Sequence, residues 1–256
     1  MPASTESLVV SALDGVLRIQ FDAPDGLNRL TFANLERLGA IFERGLGDAR
    51  VVLLAGTRGK GFTVGGDLRE LQQLTPDGAE QLATFGAQVF DRILTCRLPV
   101  VAAVNGDALG AGFLLALAAD VRIAAKDARL GYPEIRVGLM PGTGGTDLLV
   151  RLAGLAVARS LCLTGTPISA PRAHELGLVD AVCEAEGLEA EATAWCRRLG
   201  ELSPVAFAET KAALHAAATT TFDESRRRET LAFRRCFESP EYQQRIQRFL
   251  QPTGGA

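Results

Sequence analysis

Two hydrophobic patterns alternate along the first two thirds of the chain. Val16–Phe21 alternates apolar and polar residues, as half-buried strands do, while residues 51–55 and Val100–Val104 are continuous apolar runs, typical of strands covered on both faces. Between these runs, apolar residues recur at helical spacing in residues 35–46 and 82–93. Because helices must cover the buried strands, the alternation predicts an α/β core built of βαβ units.

The last third of the chain has a different pattern. From about Pro167 the sequence becomes rich in alanine and helix-forming residues, and Ser203-Pro204 is typical of a helix N-cap followed by the first helical residue. We therefore predict an α/β core over residues 1–200 and a helical C-terminal region over residues 201–256. Such a region serves as a lid, a subunit contact or a solvated cap.

The charge of the chain excludes some function classes. Lys and Arg total 27 against 30 Asp and Glu, which gives a net charge of -3 and a pI near 5.6. Such a chain has no basic footprint for nucleic acid or for an anionic membrane. The start of the sequence has no basic segment followed by an apolar one, and the apolar run 100–125 contains Asp107, Asp120 and Arg122. We therefore expect a cytoplasmic protein with no nucleic-acid or membrane partner.

Cysteine and histidine spacing gives no sign of a disulfide or metal site. The five cysteines are odd in number, widely spaced and without a C-x-x-C pair, which favours reduced thiols in the core. His174 and His215 are the two histidines, and they stand apart from any set of residues with metal-ligand spacing. We expect no metal, and we expect both histidines to lie on helix surfaces.

The first candidate ligand-binding segment is rich in glycine. Residues 56–66 follow a buried strand and hold five glycines in eleven positions. Glycine at this density lets the backbone approach a ligand closely and present N–H groups from conformations that other residues avoid. Taken alone, the segment fits a flexible loop equally well.

The second candidate segment joins a buried strand to a helix. After the strand at residues 100–104 the chain turns, and Gly-Ala-Gly at residues 110–112 then opens an apolar helix that extends to residue 119. The first amides of a helix have no helical acceptor and lie at the positive end of the helix dipole. The segment therefore predicts a site for an anion or an oxyanion.

Two other enzyme classes are disfavoured. Residues 110–116 match a loose G-x-G-x-x-x-A dinucleotide fingerprint, but the next strand-like run ends in Lys126 and Asp127 only about 16 residues after Gly110. An oxidoreductase of that kind would also leave the glycines at 65 and 66 unexplained. The sequence has no G-x-S-x-G nucleophile elbow, which disfavours a Ser-His-Asp hydrolase.

Six segments carry a family resemblance. They are residues 59–68 (GKGFTVGGDL), 98–112 (LPVVAAVNGDALGAG), 132–145 (YPEIRVGLMPGTGG), 25–28 (DGLN), 168–180 (ISAPRAHELGLVD) and 248–250 (RFL). In these motifs and their order, the chain resembles the crotonase family, the enoyl-CoA hydratase/isomerase superfamily, over nearly its whole length.

The resemblance implies a spiral of ββα units with a helical C-terminal region that drives trimerisation, giving a homotrimer or a hexamer of two trimers. It implies an acyl-CoA thioester as substrate, so coenzyme A is part of the substrate and no separate cofactor is expected. Two backbone amides, which fall on Gly66 and Ala111, would stabilise the enolate oxygen of the thioester. The bent coenzyme A would contact Leu27, Arg29, Arg58, Lys60, Thr63, Gly65 and Asp67. Of these residues, the cations Arg29, Arg58 and Lys60 would bind its phosphates.

Hydratases of the family use two glutamates, and this sequence keeps one. The first position is Leu114, an altered catalytic position, and the second is Glu134. Hydration needs a water that is held and deprotonated while a proton is delivered to the neighbouring carbon, which suits paired acid/base groups. A single carboxylate, with a pKa raised by partial burial, suits a proton shuttle between two carbons. We therefore favour double-bond isomerisation of an enoyl-CoA by Glu134.

Other reactions stay open on the sequence alone. A crotonase-type enzyme could instead hydrate weakly, or hydrolyse or decarboxylate an acyl-CoA, and a pseudoenzyme could bind acyl-CoA without turnover. Asp67 and Asp107 are further carboxylates near the predicted oxyanion hole. We expect Asp67 to cap backbone amides and Asp107 to form a turn.

Overall fold

The computed structural model of the chain describes residues 8–44, 46–57 and 61–251. Its strands are β1 (Leu8–Leu13), β2 (Val16–Phe21), β3 (Val51–Gly56), β4 (Val100–Val104), β5 (Ala108–Leu109), β6 (Val121–Ala125), β7 (Arg129–Gly131), β8 (Ile168–Ser169) and β9 (Ala181–Cys183). Its helices are α1 (Phe32–Glu43), α2 (Leu68–Leu71), α3 (Pro76–Leu94), α4 (Ala111–Ala118), α5 (Gly145–Thr164), α6 (Ala170–Glu175), α7 (Leu188–Gly200), α8 (Pro204–Thr219), α9 (Phe222–Glu238) and α10 (Pro240–Leu250). Short 3₁₀ turns lie at Glu134–Val137 and Ala185–Gly187.

The main sheet has the strand order β1-β2-β3-β4-β6-β9. β1 pairs with β2 in antiparallel fashion through a tight turn at Asp14 and Gly15, whose φ values of 50° and 76° fit the left-handed turns that hairpins prefer. From β2 onward the pairings are parallel, so each needs a crossover connection. A second sheet of order β5-β7-β8 begins directly after β4, and it positions the start of α4.

The central strands divide their side chains between two cores. Val52 and Leu54 of β3 belong to the core that includes α1, α3 and α4, whereas Val51, Leu53 and Ala55 belong to the core that includes α7. β3, β4 and β6 are buried at every position. The prediction that these apolar runs are strands covered on both faces is confirmed, and so is the α/β fold class.

Two local predictions differ from the structure. The helix predicted over residues 35–46 ends at Glu43, because Arg44 leaves the helical conformation; Leu46 packs against the core from the following loop. Two short strands, β8 and β9, interrupt the stretch after Pro167 that the composition predicted as helical. Strands of two and three residues are too short to show a period of their own.

The C-terminal region is helical, as predicted. The Ser203 side chain caps α8 by accepting from the amide of Ala206, and Pro204 is the first helical residue. Pro240 separates α9 from α10, since proline has no N–H to continue a helix. Lys211 Nζ lies 2.8 Å from Asp120 Oδ2, and this half-buried ion pair joins α8 to the α/β core.

None of the described helices combines the length and the hydropathy that a membrane crossing requires. Within the same part of the chain, His, Cys, Asp and Glu side chains form no group that could hold a metal ion.

Candidate active site

The two glycine-rich segments lie side by side. The amide of Thr63 donates to the carbonyl of Asp107 (3.0 Å), and the amide of Leu109 donates to the carbonyl of Thr63 (3.0 Å). The backbones are so close that a Cβ on Gly112 would lie 2.2 Å from the Thr63 carbonyl oxygen. Residues 61–66 are therefore fixed against β5 and the start of α4, rather than forming a free loop.

Gly65 brings the amides of Gly66 and Ala111 near each other. Its φ is 86°, and a Cβ there would lie 2.6 Å from the Leu109 carbonyl oxygen and 3.0 Å from the Ala111 nitrogen, so glycine is required. Ala111 is the first residue of α4, where an amide has no helical acceptor. Among the described residues, neither amide donates a hydrogen bond to a protein acceptor. Both N–H groups are thus available to an oxygen of a ligand.

A cavity of about 730 Å³ opens onto these amides. Four residues that the sequence predicted as one site, Gly66, Ala111, Leu114 and Glu134, all line it. Most of the remaining wall is apolar, and many of its members come from α1, α2, α3, the loop between α2 and α3, and the segment after the 3₁₀ turn. They include Phe32, Leu35, Leu71, Leu74, Leu82, Ala83, Phe90, Leu139 and Met140.

Glu134 opens the 3₁₀ turn directly after Pro133. Its Oε1 would lie 3.0 Å from a Cβ on Gly110, whose φ of 55° also favours glycine, so the carboxylate stands over the start of α4. Its Oε2 is buried and has no hydrogen-bond partner among the described residues. Burial raises the pKa of Glu134 above the usual range of a glutamate, which confirms the predicted direction.

Leu114 faces the same cavity from α4. It lies one helical turn after Ala111, and its side chain is only 2% exposed within the hydrophobic core. An apolar side chain at this position can neither orient nor deprotonate a water. The α4 wall therefore contributes backbone amides to the cavity but no acid or base.

The residues predicted to contact coenzyme A separate into groups. Arg29 and Asp67 line the cavity; Arg29 Nη1 is bound to Asp25 Oδ2 at 2.5 Å, so a phosphate would compete with that carboxylate. Thr63 and Gly65 do not line this cavity, but they support the neighbouring Gly66. Thr63 is fully buried, and its hydroxyl accepts a hydrogen bond from the Gly65 amide. Their contact with coenzyme A stays a prediction.

Of the other residues predicted to contact coenzyme A, Leu27 alone belongs to the described part of the chain. Leu27 lines a second cavity of about 560 Å³, and Val64 borders both cavities. Lys60 and Arg58 lie outside the described residues, so their predicted phosphate contacts stay predictions.

Of the two further aspartates, Asp67 behaves as the sequence predicted, whereas Asp107 contributes an ion pair and its role in a turn stays a prediction. Asp67 caps α2, with Oδ1 accepting from the amide of Arg69 at 2.8 Å. Asp107 forms a two-bond ion pair with Arg129 and borders the second cavity, not the one that contains Glu134. Glu134 is therefore the carboxylate beside the start of α4.

Tyr132 is a site residue that sequence reasoning missed. It lines the cavity two positions before Glu134, and its hydroxyl is buried without a hydrogen-bond partner among the described residues. Burial and, secondly, the charge of Glu134 raise its pKa well above the usual range of a tyrosine. The signal was a polar aromatic directly before the Pro-Glu motif, which alone is also typical of a core residue.

Comparison with protein families identifies the chain. Residues 11–253 match the family model described as enoyl-CoA hydratase/isomerase. The chain belongs to the enoyl-CoA hydratase/isomerase family. The crotonase-family resemblance is thereby confirmed, and membership supports the processing of acyl-CoA thioesters.

Individual members of the enoyl-CoA hydratase/isomerase family are similar over most of their length. A short-chain-enoyl-CoA hydratase of Clostridium acetobutylicum is 32% identical over 91% of this chain and 90% of its own. A probable enoyl-CoA hydratase of Bacillus subtilis is 37% identical over 88% of each chain. The crystal structure of an enoyl-CoA hydratase from Bacillus anthracis, 31% identical, superposes with a TM-score of 0.90 over 95% of this chain and 96% of the other. This superposition confirms the predicted crotonase-like fold.

Proposed function

We propose that this family member isomerises 3-enoyl-CoA thioesters to 2-enoyl-CoA thioesters, with Glu134 as the proton shuttle. The observation that carries the proposal is the combination of Glu134 and Leu114 in one cavity. One carboxylate is enough to move a proton between two carbons. A hydration, in contrast, would lack the second acid/base group that holds and activates the water.

The proposed steps use the groups that line the cavity. The Glu134 carboxylate removes a proton from C2 of the 3-enoyl thioester, and the electron pair delocalises onto the thioester oxygen as a dienolate. The amides of Gly66 and Ala111 donate hydrogen bonds to that oxygen, where the negative charge develops. Protonated Glu134 then returns the proton to C4, and the double bond forms between C2 and C3. Protons and electron pairs balance, so no redox cofactor takes part.

The environment of Glu134 suits this shuttle. A base of normal glutamate pKa is too weak to remove a proton from carbon efficiently. Burial raises the pKa of Glu134 and brings the two protonation states closer in free energy.

Hydration of a 2-enoyl-CoA is the second candidate, because the two curated relatives above carry hydratase names. It requires that Glu134 alone, or Glu134 with a group other than residue 114, activates the water. Hydrolysis or decarboxylation of an acyl-CoA, and binding without turnover, are the remaining alternatives for the same cavity.

Product analysis separates these reactions. The purified protein is offered 3-enoyl, 2-enoyl, 3-hydroxy and 3-oxo acyl-CoAs in deuterated water, and products are resolved by chromatography with mass spectrometry. We expect conversion of 3-enoyl to 2-enoyl thioester with little change in mass beyond deuterium uptake. If a 3-hydroxyacyl-CoA forms faster from the 2-enoyl substrate than the 3-enoyl substrate isomerises, the function is hydration and not isomerisation. If the protein binds these acyl-CoAs but forms no product from any of them, it is an acyl-CoA-binding protein without catalytic activity.

Assembly and location are part of the proposal. The C-terminal helices carry exposed large apolar side chains, among them Phe222, Leu231, Phe233, Phe249 and Leu250. Exposed side chains of this kind support burial between copies of the chain, in a homotrimer or a dimer of trimers. The cytoplasmic location stays the expectation from the sequence. Sedimentation equilibrium at micromolar concentration tests this assembly, and a monomer alone would contradict it.

A further inference from the structure

Tyr132 and Glu134 each carry one buried polar atom without a partner in the described chain, and both residues line one cavity. A buried hydroxyl or carboxylate oxygen that makes no hydrogen bond is costly, and in folded proteins such atoms usually bond to an ordered water or a ligand. Tyrosine supplies a donor and an ionised carboxylate oxygen is an acceptor, so the two atoms are complementary.

Neighbouring residues fix the position of the Tyr132 hydroxyl. Its ring packs on Phe113 with centroids 5.0 Å apart, and the whole side chain is only 1% exposed. Gly145, the first residue of α5, makes room for it, because a Cβ there would lie 2.5 Å from the Tyr132 oxygen. The ring and the hydroxyl therefore have one place in the fold.

The two oxygens of Glu134 have different environments. Oε1 lies beside Gly110 at the start of α4, on the side of the oxyanion amides, whereas Oε2 is the buried oxygen without a partner. A carboxylate whose second oxygen is unbound can rotate away from its substrate. Anchoring Oε2 would keep Oε1 directed at the reacting carbons.

We propose that Tyr132 is a positioning residue, whose hydroxyl donates a hydrogen bond through one ordered water to Oε2 of Glu134. The inference rests on the proposed function to the extent that Glu134 is the acid/base. It holds for isomerisation and hydration alike. Removing the donor is expected to raise the pKa of Glu134, because the charged form loses a hydrogen bond.

The other charged and titratable groups around Glu134 are few among the described residues. Cys162 on α5 interacts with Glu134 and Tyr132, and its thiol stays neutral because burial raises its pKa. Arg136 lies in the same 3₁₀ turn and donates to the Thr166 hydroxyl. Arg29, Arg69 and Asp67 line the cavity from its α2 side. None of these groups changes in a Tyr132→Phe variant.

The test is the pH profile of kcat/KM for Tyr132→Phe. The acidic limb of the wild-type profile reports ionisation of Glu134, which must be deprotonated to accept a proton. We expect the limb to move upward by about one pH unit, the scale of one hydrogen bond to a charged group. At pH values below the limb this lowers kcat/KM about tenfold. Tyr242→Phe, which removes the other tyrosine hydroxyl on α10, should leave the limb in place.

A second variant keeps the inference testable if Tyr132→Phe does not fold. Gly145→Ala retains the hydroxyl but displaces it, and it should move the limb in the same direction. A crystal structure of the wild type should show a water within hydrogen-bond distance of both oxygens.

Two results would overturn the inference. One is a limb that stays at the wild-type pH in both variants, whatever happens to Tm; the other is a wild-type crystal structure without the bridging water. Glu134→Gln separates this failure from failure of the proposed function. If that variant is inactive while the Tyr132→Phe limb does not move, Glu134 is the acid/base and the role of Tyr132 alone is wrong. If Glu134→Gln stays active, the proposed function is wrong.

Discussion

The cavity has two walls of different construction. One is made of backbone: Gly66, Gly110 and Ala111 lie where the strands of the small sheet meet the start of α4, and the adjoining Gly65 has no room for a side chain. The other is made of apolar side chains from α1, α2, α3 and the segment after the 3₁₀ turn, and some are well exposed, Met140 by 65%.

This contrast indicates where the site tolerates substitution. Donor positions in the backbone wall are fixed by packing, so they can hold an oxyanion without reorganisation. Side chains of the apolar wall can be exchanged without moving the donors. Under the proposed function, the first wall would determine whether chemistry occurs, and the second would determine which acyl chain fits.

Glu134→Gln should have the largest effect, because the proposed function gives this carboxylate both proton transfers. Amide and acid are nearly isosteric, so fold and thioester binding should be kept while turnover falls by about 100-fold or more, as for other positioned acid/base groups. Isomerisation kinetics and isothermal titration with a non-reactive acyl-CoA measure the two quantities. Retention of more than about a tenth of wild-type turnover would remove Glu134 from the mechanism.

Ala111→Pro tests the backbone wall itself. Proline removes the donor N–H at the first helical position, where its geometry is otherwise tolerated, so the rate should fall by about 100-fold to 1,000-fold. The matched control is Ala111→Gly, which keeps the amide and should stay within a few-fold of the wild type. Circular dichroism checks that both variants fold. A folded proline variant with a normal rate would show that this amide does not bind the oxyanion.

Ala83→Phe tests the side-chain wall. Ala83 lies on the cavity side of α3, and a larger side chain should shorten the space for the acyl chain. We expect kcat/KM for the longest accepted substrate to fall about tenfold or more relative to the shortest, while the short-chain rate is kept. The control is Thr84→Phe, the next residue on the same helix, which is exposed and does not line the cavity. An equal loss for all chain lengths would mean that the variant disturbs the backbone wall.

The backbone wall was predictable from the sequence, whereas the side-chain wall was not. Glycines at 65 and 110 are required by positive φ values and close neighbours, and such positions leave a local signature. The apolar wall joins Leu35, Leu82 and Met140 from separate elements, and each reads in isolation as an ordinary core or surface residue. Only the packing of α1 and α3 beside the 3₁₀ turn brings them together.

The same reasoning explains the polar details that the sequence did not give. Tyr132 was missed because nothing near it in sequence indicates that its hydroxyl lacks a partner. Arg29 was predicted as a phosphate partner, and the sequence did not indicate its ion pair with Asp25, which lies four residues earlier and outside any helix. Neither the surroundings of the Tyr132 hydroxyl nor the Arg29–Asp25 ion pair follows from residue spacing, because each depends on the path of a loop.

The smallest expected effect is on the stability of the folded protein, and it concerns Glu134, which lies between the two walls. The folded-state pKa of Glu134 is raised by burial above its unfolded value, which is near 4.3 for a free glutamate. At pH below the unfolded value the carboxyl is protonated in both states, and its burial costs no charge. As the pH rises through the window up to the folded pKa, the unfolded state ionises more readily than the native state. The native state therefore loses stability.

Glu134→Gln cannot ionise, so the variant should become more stable than the wild type as the pH rises through that window, and the difference should vanish in acid. It should amount to a few degrees in Tm at most, since about 1 kcal/mol corresponds to about 2–4 °C for a chain of this size. Thermal unfolding of both proteins over a pH series measures it. A stability advantage of the variant that grows towards low pH would mean that the native fold stabilises the carboxylate. Glu134 would then be a paired structural group rather than a buried base beside the oxyanion amides.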